Sequence, residues 1–345
     1  MTALEFGLDT FGDVTRGPDG QLLSQAQVIR NIIDEAICAD AVGIDFFGIG
    51  EHHREDFAIS SPETVLAAIA GQTKSIRLGS AATILSTDDP VRVFQRFSTL
   101  NALSKGRAYI TVGRGWYTEP FPLFGYELTD YDSLFEEKLN LLSALIRKDV
   151  ITWRGEKRPP LKNQKVFPPV EDEKRLKVLV AVGSTPESAL RAARYDLPMT
   201  VAVIGGEPQR FKPFFEIYHS ALQKLGKPSR ETGVHATGYI ADTDEKARKE
   251  FWPAYKKFRD KIGTERGWPT ITEEIFAAEV SSGSLYVGAP DTVAKKIAAT
   301  IKLLNVSRFE MKYSAGELAH EKLLKSIELF GSKVVPMVRD IVGDP

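Results

Sequence analysis

The chain predicts an α/β fold, a single (β/α)8 barrel, and three observations carry that prediction. Short strands, apolar on both faces, alternate with amphipathic helices along nearly all of the 345 residues. The alternation yields eight strands and eight helices. Polar or glycine-rich turns recur at the C-terminal strand ends, where such a barrel carries its chemistry. A doubly wound open sheet is the other arrangement this rhythm allows, because periodicity does not distinguish a closed sheet from an open one.

The elements follow in order. "LEFGLDTF" is the first strand. In residues 24–43, Val28, Ile32, Ile33, Ala36 and Ile37 recur at helical spacing, and Gly43 stops the helix. "IDFFGIG" is strand two. Ser61 is expected to cap the next helix, with Pro62 at its first position and Glu63 in its first turn. "IRLGSAATIL" is strand three, "DPVRVFQRFSTLNALSKG" a helix between Pro90 and Gly106, and "RAYITVG" strand four. The second half supplies "LKVLVAVG", "PMTVAVIG", "GVHATGYIA" and "RFEMKYS", with helices starting near Pro186, Pro208, Asp244 and Asp291. Two segments break the rhythm. Residues 150–170, charged and proline-rich in the middle, read as an antiparallel hairpin insertion. Residues 263–284, bounded by glycines and without a clean period, read either as an active-site lid or as a surface insertion ending in a short helix. One barrel domain spanning 1–345 accommodates both.

Composition excludes several classes. A net charge of -1 offers no bulk attraction to nucleic acid or an anionic membrane. The single cysteine, Cys38, permits no disulfide within the chain and fits a reducing compartment. The start of the chain reads as a strand, not a signal peptide, and no apolar run reaches membrane-spanning length. A cytoplasmic protein is expected.

The barrel rule converts strand ends into candidate site residues. Strand one ends at Asp9 and Thr10, strand two at Glu51, His52 and His53, and strand three at Ser80, Ala81, Ala82 and Thr83. Strand four ends at Gly113, Arg114, Gly115, Trp116 and Tyr117, and strand five at Gly183, Ser184 and Thr185. In "VGSTPESALRAA" a strand runs into a helix N-terminus with free N–H groups and two hydroxyls, which suits a phosphate or is an ordinary capped turn. Arg114, between glycines, suits a dianion or a salt bridge to Glu51 or Asp9. His52 and His53 are two of only five histidines. Adjacent residues on a strand start on opposite faces, and His235 is the one further histidine placed to complete a metal site, so zinc is disfavoured. One histidine facing a pocket as acid–base or hydrogen-bond partner is the better functional reading, and a structural pair stays open.

The motifs "GEHHRED", "RLGSAATILSTDDPVRVFQRFSTLNALSKGRAYITVGRGWY", "FPLFGYE", "VGSTPESALRAARYDLPM" and "ELFGSKVVPMVRD" together resemble the bacterial luciferase-like, flavin-dependent monooxygenase family. The resemblance runs from "FGLDTF" to "VPMVRD" and is most specific from Arg77 to Tyr117. It implies a TIM barrel binding reduced FMN at its C-terminal face. His52 would be the catalytic histidine facing the flavin, with His53 turned to the wall. Ala81 and Ala82 would form the bulged segment beneath the flavin ring, joined by a non-proline cis bond. Arg114, Gly183, Ser184 and Thr185 would bind the phosphate. Residues 263–284 fall where family members carry a mobile loop. The luciferases carry an acidic residue before the serine of the strand-five loop, and "AVGSTPES" does not, which argues against light emission.

The resemblance further implies that reduced FMN and oxygen give a flavin peroxide, which oxygenates a small organic substrate. A deazaflavin-dependent oxidoreductase on the same barrel and a non-catalytic flavin-binding subunit are the alternatives. Phe11, Trp116, Tyr117 and Trp268 are candidate pocket walls. The chain has no G-x-G-x-x-G motif for a nicotinamide dinucleotide, so a separate flavin reductase is expected to supply electrons. A homodimer through the second and third helices is expected, with Ala67, Ala68 and Ala70 allowing close approach and Phe94, Phe97 and Leu100 offering partners.

Overall fold

The computed structural model describes residues 4–171, 176–183 and 185–343. The strands, in chain order, are β1 (Glu5–Thr10), β2 (Phe46–Ile49), β3 (Arg77–Ser80), β4 (Thr83–Ile84), β5 (Ala108–Gly113), β6 (Val150–Trp153), β7 (Leu161–Lys165), β8 (Lys177–Val182), β9 (Met199–Ala202), β10 (Thr232–Ile240), β11 (Tyr286–Gly288) and β12 (Arg308–Lys312). The helices are α1 (Gln25–Ala41), α2 (Pro62–Ala70), α3 (Pro90–Leu103), α4 (Pro120–Leu123), α5 (Tyr131–Leu145), α6 (Pro186–Arg194), α7 (Lys212–Lys224), α8 (Asp244–Arg266), α9 (Glu273–Ser281), α10 (Pro290–Leu304), α11 (His320–Leu329) and α12 (Val335–Val342).

Eight strands pair in parallel around a closed path, β1-β2-β3-β5-β8-β9-β10-β12 and back to β1. This is the predicted (β/α)8 barrel, and closure removes the doubly wound alternative. Strand three is split: β3 pairs with β2 and β5, and β4 resumes against β5 after Ala81 and Ala82. β11 went unpredicted because three residues are too few for a period. It joins β10 at Gly238–Ile240, outside the closed path. β6 and β7 form an antiparallel pair after α5.

Local chemistry sets several boundaries. Asp89 caps α3 by accepting from the amides of Val91 and Arg92. Ser24 caps α1 by accepting from the Gln27 amide. Ser61 precedes α2 but makes no side-chain cap bond, so Pro62 at the first position carries that start. Residues 263–284 are more ordered than their composition suggests. α8 runs through Gly263 to Arg266, Gly267 terminates it in the left-handed region, and α9 follows.

The main core lies between strands and helices, where Leu8, Phe47, Leu78, Ile110 and Val234 are fully buried. Phe94, Phe97 and Leu100 belong to this core at 6 %, 0 % and 1 % exposure, so they are spent within the chain and do not offer themselves to a second copy. On α2, Ala70 is buried, Ala67 is half-buried and Ala68 is exposed. Among the described residues no helix is long and apolar enough to cross a membrane.

The barrel lumen has a different composition. At its lower end the Arg308 guanidinium lies 3.1 Å from the Phe46 ring centroid and 4.9 Å from that of Tyr109. A Cβ on Gly7 would stand 1.9 Å from the Phe46 ring, so glycine there is what admits the ring. Above lie Asp9, His235 and Glu310. Higher still, Lys312 is held 2.9 Å from Asp13.

Candidate active site

The end of β2 delivers His52 into an aromatic box. Its amide donates to the Ile59 carbonyl at 2.9 Å. Its ring centroid lies 4.5 Å from Phe11, 4.5 Å from Phe57 and 5.3 Å from Tyr117. Burial pushes its pKa down to about 3, against the nearby Asp13 charge and with help from Lys312. The imidazole is therefore neutral near pH 7. Its Nδ1 is buried without a hydrogen-bond partner, and so is the Tyr117 hydroxyl. Two unpartnered buried polar atoms in one box are a costly arrangement unless a ligand completes it.

His53 turns the other way. Its Nε2 lies 3.0 Å from Glu51 Oε1, and its ring packs 5.0 Å from Phe124. The other Glu51 oxygen accepts from the Ile84 amide at 3.0 Å. The adjacent spacing thus separates the two histidines, as strand geometry requires. His235 stands beside Asp9 instead. Among the described residues no three His, Cys, Asp or Glu side chains group to hold a metal ion.

The bulge after β3 forms the next wall. The Ala81–Ala82 peptide bond is cis. The Ala81 amide donates to the Ile49 carbonyl at 2.8 Å. A Cβ on Gly48 would meet Ala81 Cβ at 2.8 Å and Glu310 Oε1 at 2.9 Å, so glycine is required for the bulge to sit there.

The phosphate corner assembles at β5 and α6. Arg114 Nη2 lies 3.4 Å from Thr185 Oγ1 and 3.3 Å from Ser188 Oγ. Thr185 precedes α6 but makes no side-chain cap bond; Pro186 has no N–H and the Ser188 amide donates to the Thr185 carbonyl at 3.1 Å, which leaves the Glu187 amide available in the first turn. A Cβ on Gly183 would meet nothing within 4 Å, so the space before it is open. Arg114 pairs with neither Glu51 nor Asp9. Its Nη1 donates to Asp132 at 2.7 Å, and its guanidinium lies 5.2 Å from the Tyr131 ring centroid. Ser184 lies outside the described residues.

The candidate walls divide. Phe11 and Tyr117 line the box, whereas Trp116 and Trp268 are 48 % and 41 % exposed at the rim, 6.4 Å apart. Arg266 lies over Trp116 at 4.1 Å. Arg54 ties this rim together, pairing with Glu119, with Asp56 at 3.2 Å and with Glu265 at 2.5 Å, while covering the Tyr117 ring at 4.4 Å. The sequence reading missed Asp132, Ser188, Phe57 and Arg54 as site residues. Ser188 carried a usable signal, a hydroxyl one helical turn after Thr185. The others come from loops and helices whose approach has no local signature.

The lumen floor was also missed. His235 Nε2 lies 3.1 Å from Asp9 Oδ1 and 3.2 Å from Oδ2. Burial pulls the His235 pKa down, but the Asp9 charge and hydrogen bond outweigh it and the net shift is upward. Burial raises Glu310 to about 7, with the Asp9 charge adding and Arg308 opposing. Charged residues at alternate positions of "RFEMK", in an otherwise apolar strand, were the available clue.

Comparison with known proteins decides the family. The model of the luciferase-like monooxygenases matches residues 10–306. The chain belongs to the luciferase-like monooxygenase family. Members of this family are flavin-dependent monooxygenases, and the chain is an oxidoreductase of that kind. The alkanal monooxygenase alpha chain of Photorhabdus luminescens is 26% identical over 227 residues, 66% of this chain and 62% of that one. The N-acetyl-S-alkylcysteine monooxygenase of Bacillus subtilis is 27% identical over 236 residues, 67% of each chain. Among solved structures, the monooxygenase RslO1 of Streptomyces bottropensis superposes with a TM-score of 0.83 at 21% identity, over 96% of this chain and 99% of its own. The oxygenating constituent of 3,6-diketocamphane monooxygenase of Pseudomonas putida, in complex with FMN, gives 0.76 at 22%, over 97% and 99%. An F420-dependent secondary alcohol dehydrogenase gives 0.75 at 16%, over 98% and 100%. At these identities the superpositions establish the luciferase-like barrel and nothing finer.

Proposed function

We propose that the chain is an FMN-dependent monooxygenase that uses reduced flavin and O2 to oxygenate a small organic substrate. One observation carries this reading: a guanidinium and two hydroxyls converge before a helix N-terminus, on the same strand ends as an aromatic box holding two unpartnered polar atoms. Those residues fit a ligand with a phosphate at one end and a flat ring at the other. Bound FMN would supply the redox chemistry with O2. Arg114, Thr185 and Ser188 hold the phosphate, and Gly183 leaves room for its approach. Ala81 and Ala82 support one ring face. His52, neutral and braced by Phe11 and Phe57, offers one ring nitrogen to the ligand. The aromatic walls and the Arg54 rim exclude water, which favours oxygen transfer to substrate over loss to solvent. A separate flavin reductase delivers the electrons.

The test is isotopic. The protein is mixed with FMN, photoreduced anaerobically and exposed to 18O2 with alkanal, N-acetyl-S-alkylcysteine and cyclic ketone probes. One labelled oxygen in a product supports the reading. If FMN fails to bind while F420 binds and its reduced form passes hydride to a carbonyl without O2, the deazaflavin reading takes its place, a barrel use the F420-dependent dehydrogenase illustrates. Flavin binding with no chemistry beyond that of free flavin would mark a flavin-binding subunit. Arg114→Ala is expected to weaken FMN binding by about tenfold to a hundredfold, the range for a charged hydrogen bond, and riboflavin binding much less. We also infer a homodimer with α2 at its interface, resting on exposed Ala68 and half-buried Ala67 and without Phe94, Phe97 and Leu100 of α3, which are buried in the chain's own core. A monomer by sedimentation at micromolar concentration refutes it.

A further inference from the structure

The proposed function gives His52 to the ligand but leaves the lumen floor without a role. Phe11 joins the two regions. Its ring lies 4.5 Å from His52 and, nearly parallel at 12°, 6.3 Å from His235. Lys312 Nζ stands 4.6 Å from the same ring. His235 and Thr237, alternate residues of β10, are half-buried where the flanking Val234 and Ala236 are buried, so this face of the strand borders open space in the lumen. Ala202, in register with His235 on β9, is small and uncharged.

We propose that His235, braced by Asp9, is a second ligand-facing residue of the pocket and the one that donates its proton. The geometry divides the labour within the ring. Nε2 is committed to Asp9, hydrogen-bonded to Oδ2 at 3.2 Å and 3.1 Å from Oδ1. Nδ1 has no partner among the described residues and, unlike Nδ1 of His52, is not sealed off as a buried unpartnered atom. A carboxylate on one nitrogen fixes the ring and favours the doubly protonated form, in which Nδ1–H is a donor. The charged groups facing His235 are Asp9 on β1 and Glu310 and Lys312 on β12, the last opposing its charge. The step is a proton transfer alone. The Nδ1 proton passes to an oxygen or nitrogen of the ligand as negative charge develops there, the neutral imidazole stays bound to Asp9, and solvent returns the proton. Two histidines flanking one phenylalanine, one held neutral and one biased to the cation, divide acceptor from donor.

This inference rests on the flavin reading, and the experiment separates the two. Dissociation constants of FMN and riboflavin are measured by fluorescence from pH 6 to pH 9, for the wild type and His235→Gln. Riboflavin lacks the phosphate, so phosphate ionisation does not enter its profile. A cation that donates to the ligand gives wild-type binding that weakens about tenfold as His235 loses its proton, one pKa unit of coupling. H235Q, which keeps an N–H for Asp9 but cannot titrate, is expected to give a flat riboflavin profile. In parallel, 15N–1H spectra of the five histidines follow His235 directly in the wild type. Its pKa is expected to rise further on saturation with riboflavin. Flavin binding with no such rise, or with the same profile in both proteins, overturns the inference and leaves the function standing. Failure of both flavins to bind overturns both. If H235Q does not fold, the wild-type titration alone decides.

Discussion

The two sides of Phe11 solve opposite problems. On one side His52 sits among Phe11, Phe57 and Tyr117, and burial keeps it neutral. On the other, His235 shares a lumen with Asp9, Glu310, Arg308 and Lys312, and paired charge keeps it biased to the cation. The same residue type therefore becomes two chemical groups. Neither environment could do this alone, because desolvation removes charge and a buried carboxylate restores it. Each side accounts for its polar atoms differently. The aromatic side leaves His52 Nδ1 and the Tyr117 hydroxyl open, whereas the charged side leaves Asp9 Oδ1 and Glu310 Oε1 without a hydrogen bond but sets its charges in ion pairs, Asp9 with His235 and Lys312 with Asp13.

The most severe way to break this comparison is to remove the charge that defines one side. Asp9→Ala leaves His235 buried without its carboxylate and is expected to cost about 3–5 kcal/mol, measured by chemical denaturation. His52→Phe removes no ion pair and should cost far less. Should the two variants cost the same, the assignment of different environments is wrong.

The pH dependence of stability sharpens the contrast, because the two sides contribute with opposite sign. His52 titrates near 6.5 when unfolded and near 3 when folded. The unfolded chain binds the extra proton, so stability falls as pH drops below 6.5, by about 2 kcal/mol between pH 6.5 and 5. Glu310 is raised from 4.5 to about 7, so the folded chain binds the extra proton and stability falls as pH rises from 4.5 towards 7. His52→Phe should flatten the acid limb, and Glu310→Gln the limb approaching neutrality. Denaturation midpoints from pH 4.5 to 8 separate them. The smallest effect belongs to Tyr117→Phe. Its hydroxyl has no partner, so removing it should shift the free protein by less than about 1 kcal/mol, towards greater stability. A larger loss would mean that the hydroxyl is already bonded.

Much of this was legible without the fold. Eight apolar runs at barrel spacing placed His52, Ala81, Ala82, Arg114, Gly183 and Thr185 at strand ends, and the structure puts them on one rim. The adjacency of His52 and His53 foretold their divergence. Phe94, Phe97 and Leu100 of α3 misled, since apolar residues at helical spacing do not reveal whether they face a barrel or a second subunit. In residues 263–284 the expected short helix is present as α9, but α8 continues past Gly263, where glycine and mixed polarity suggested a break.

By itself the sequence determined the strands, their alternation with helices and the chemical end of each, because period and capping are properties of neighbouring residues. The meeting of Asp9 with His235 across 226 positions, and of Arg114 with Ser188 across 74, was decided only by closure of the barrel. So was the electrostatic difference between the two histidines. A pKa in a protein interior depends on burial and on charges brought in from distant strands, and the local sequence around "EHH" or "VHA" records neither.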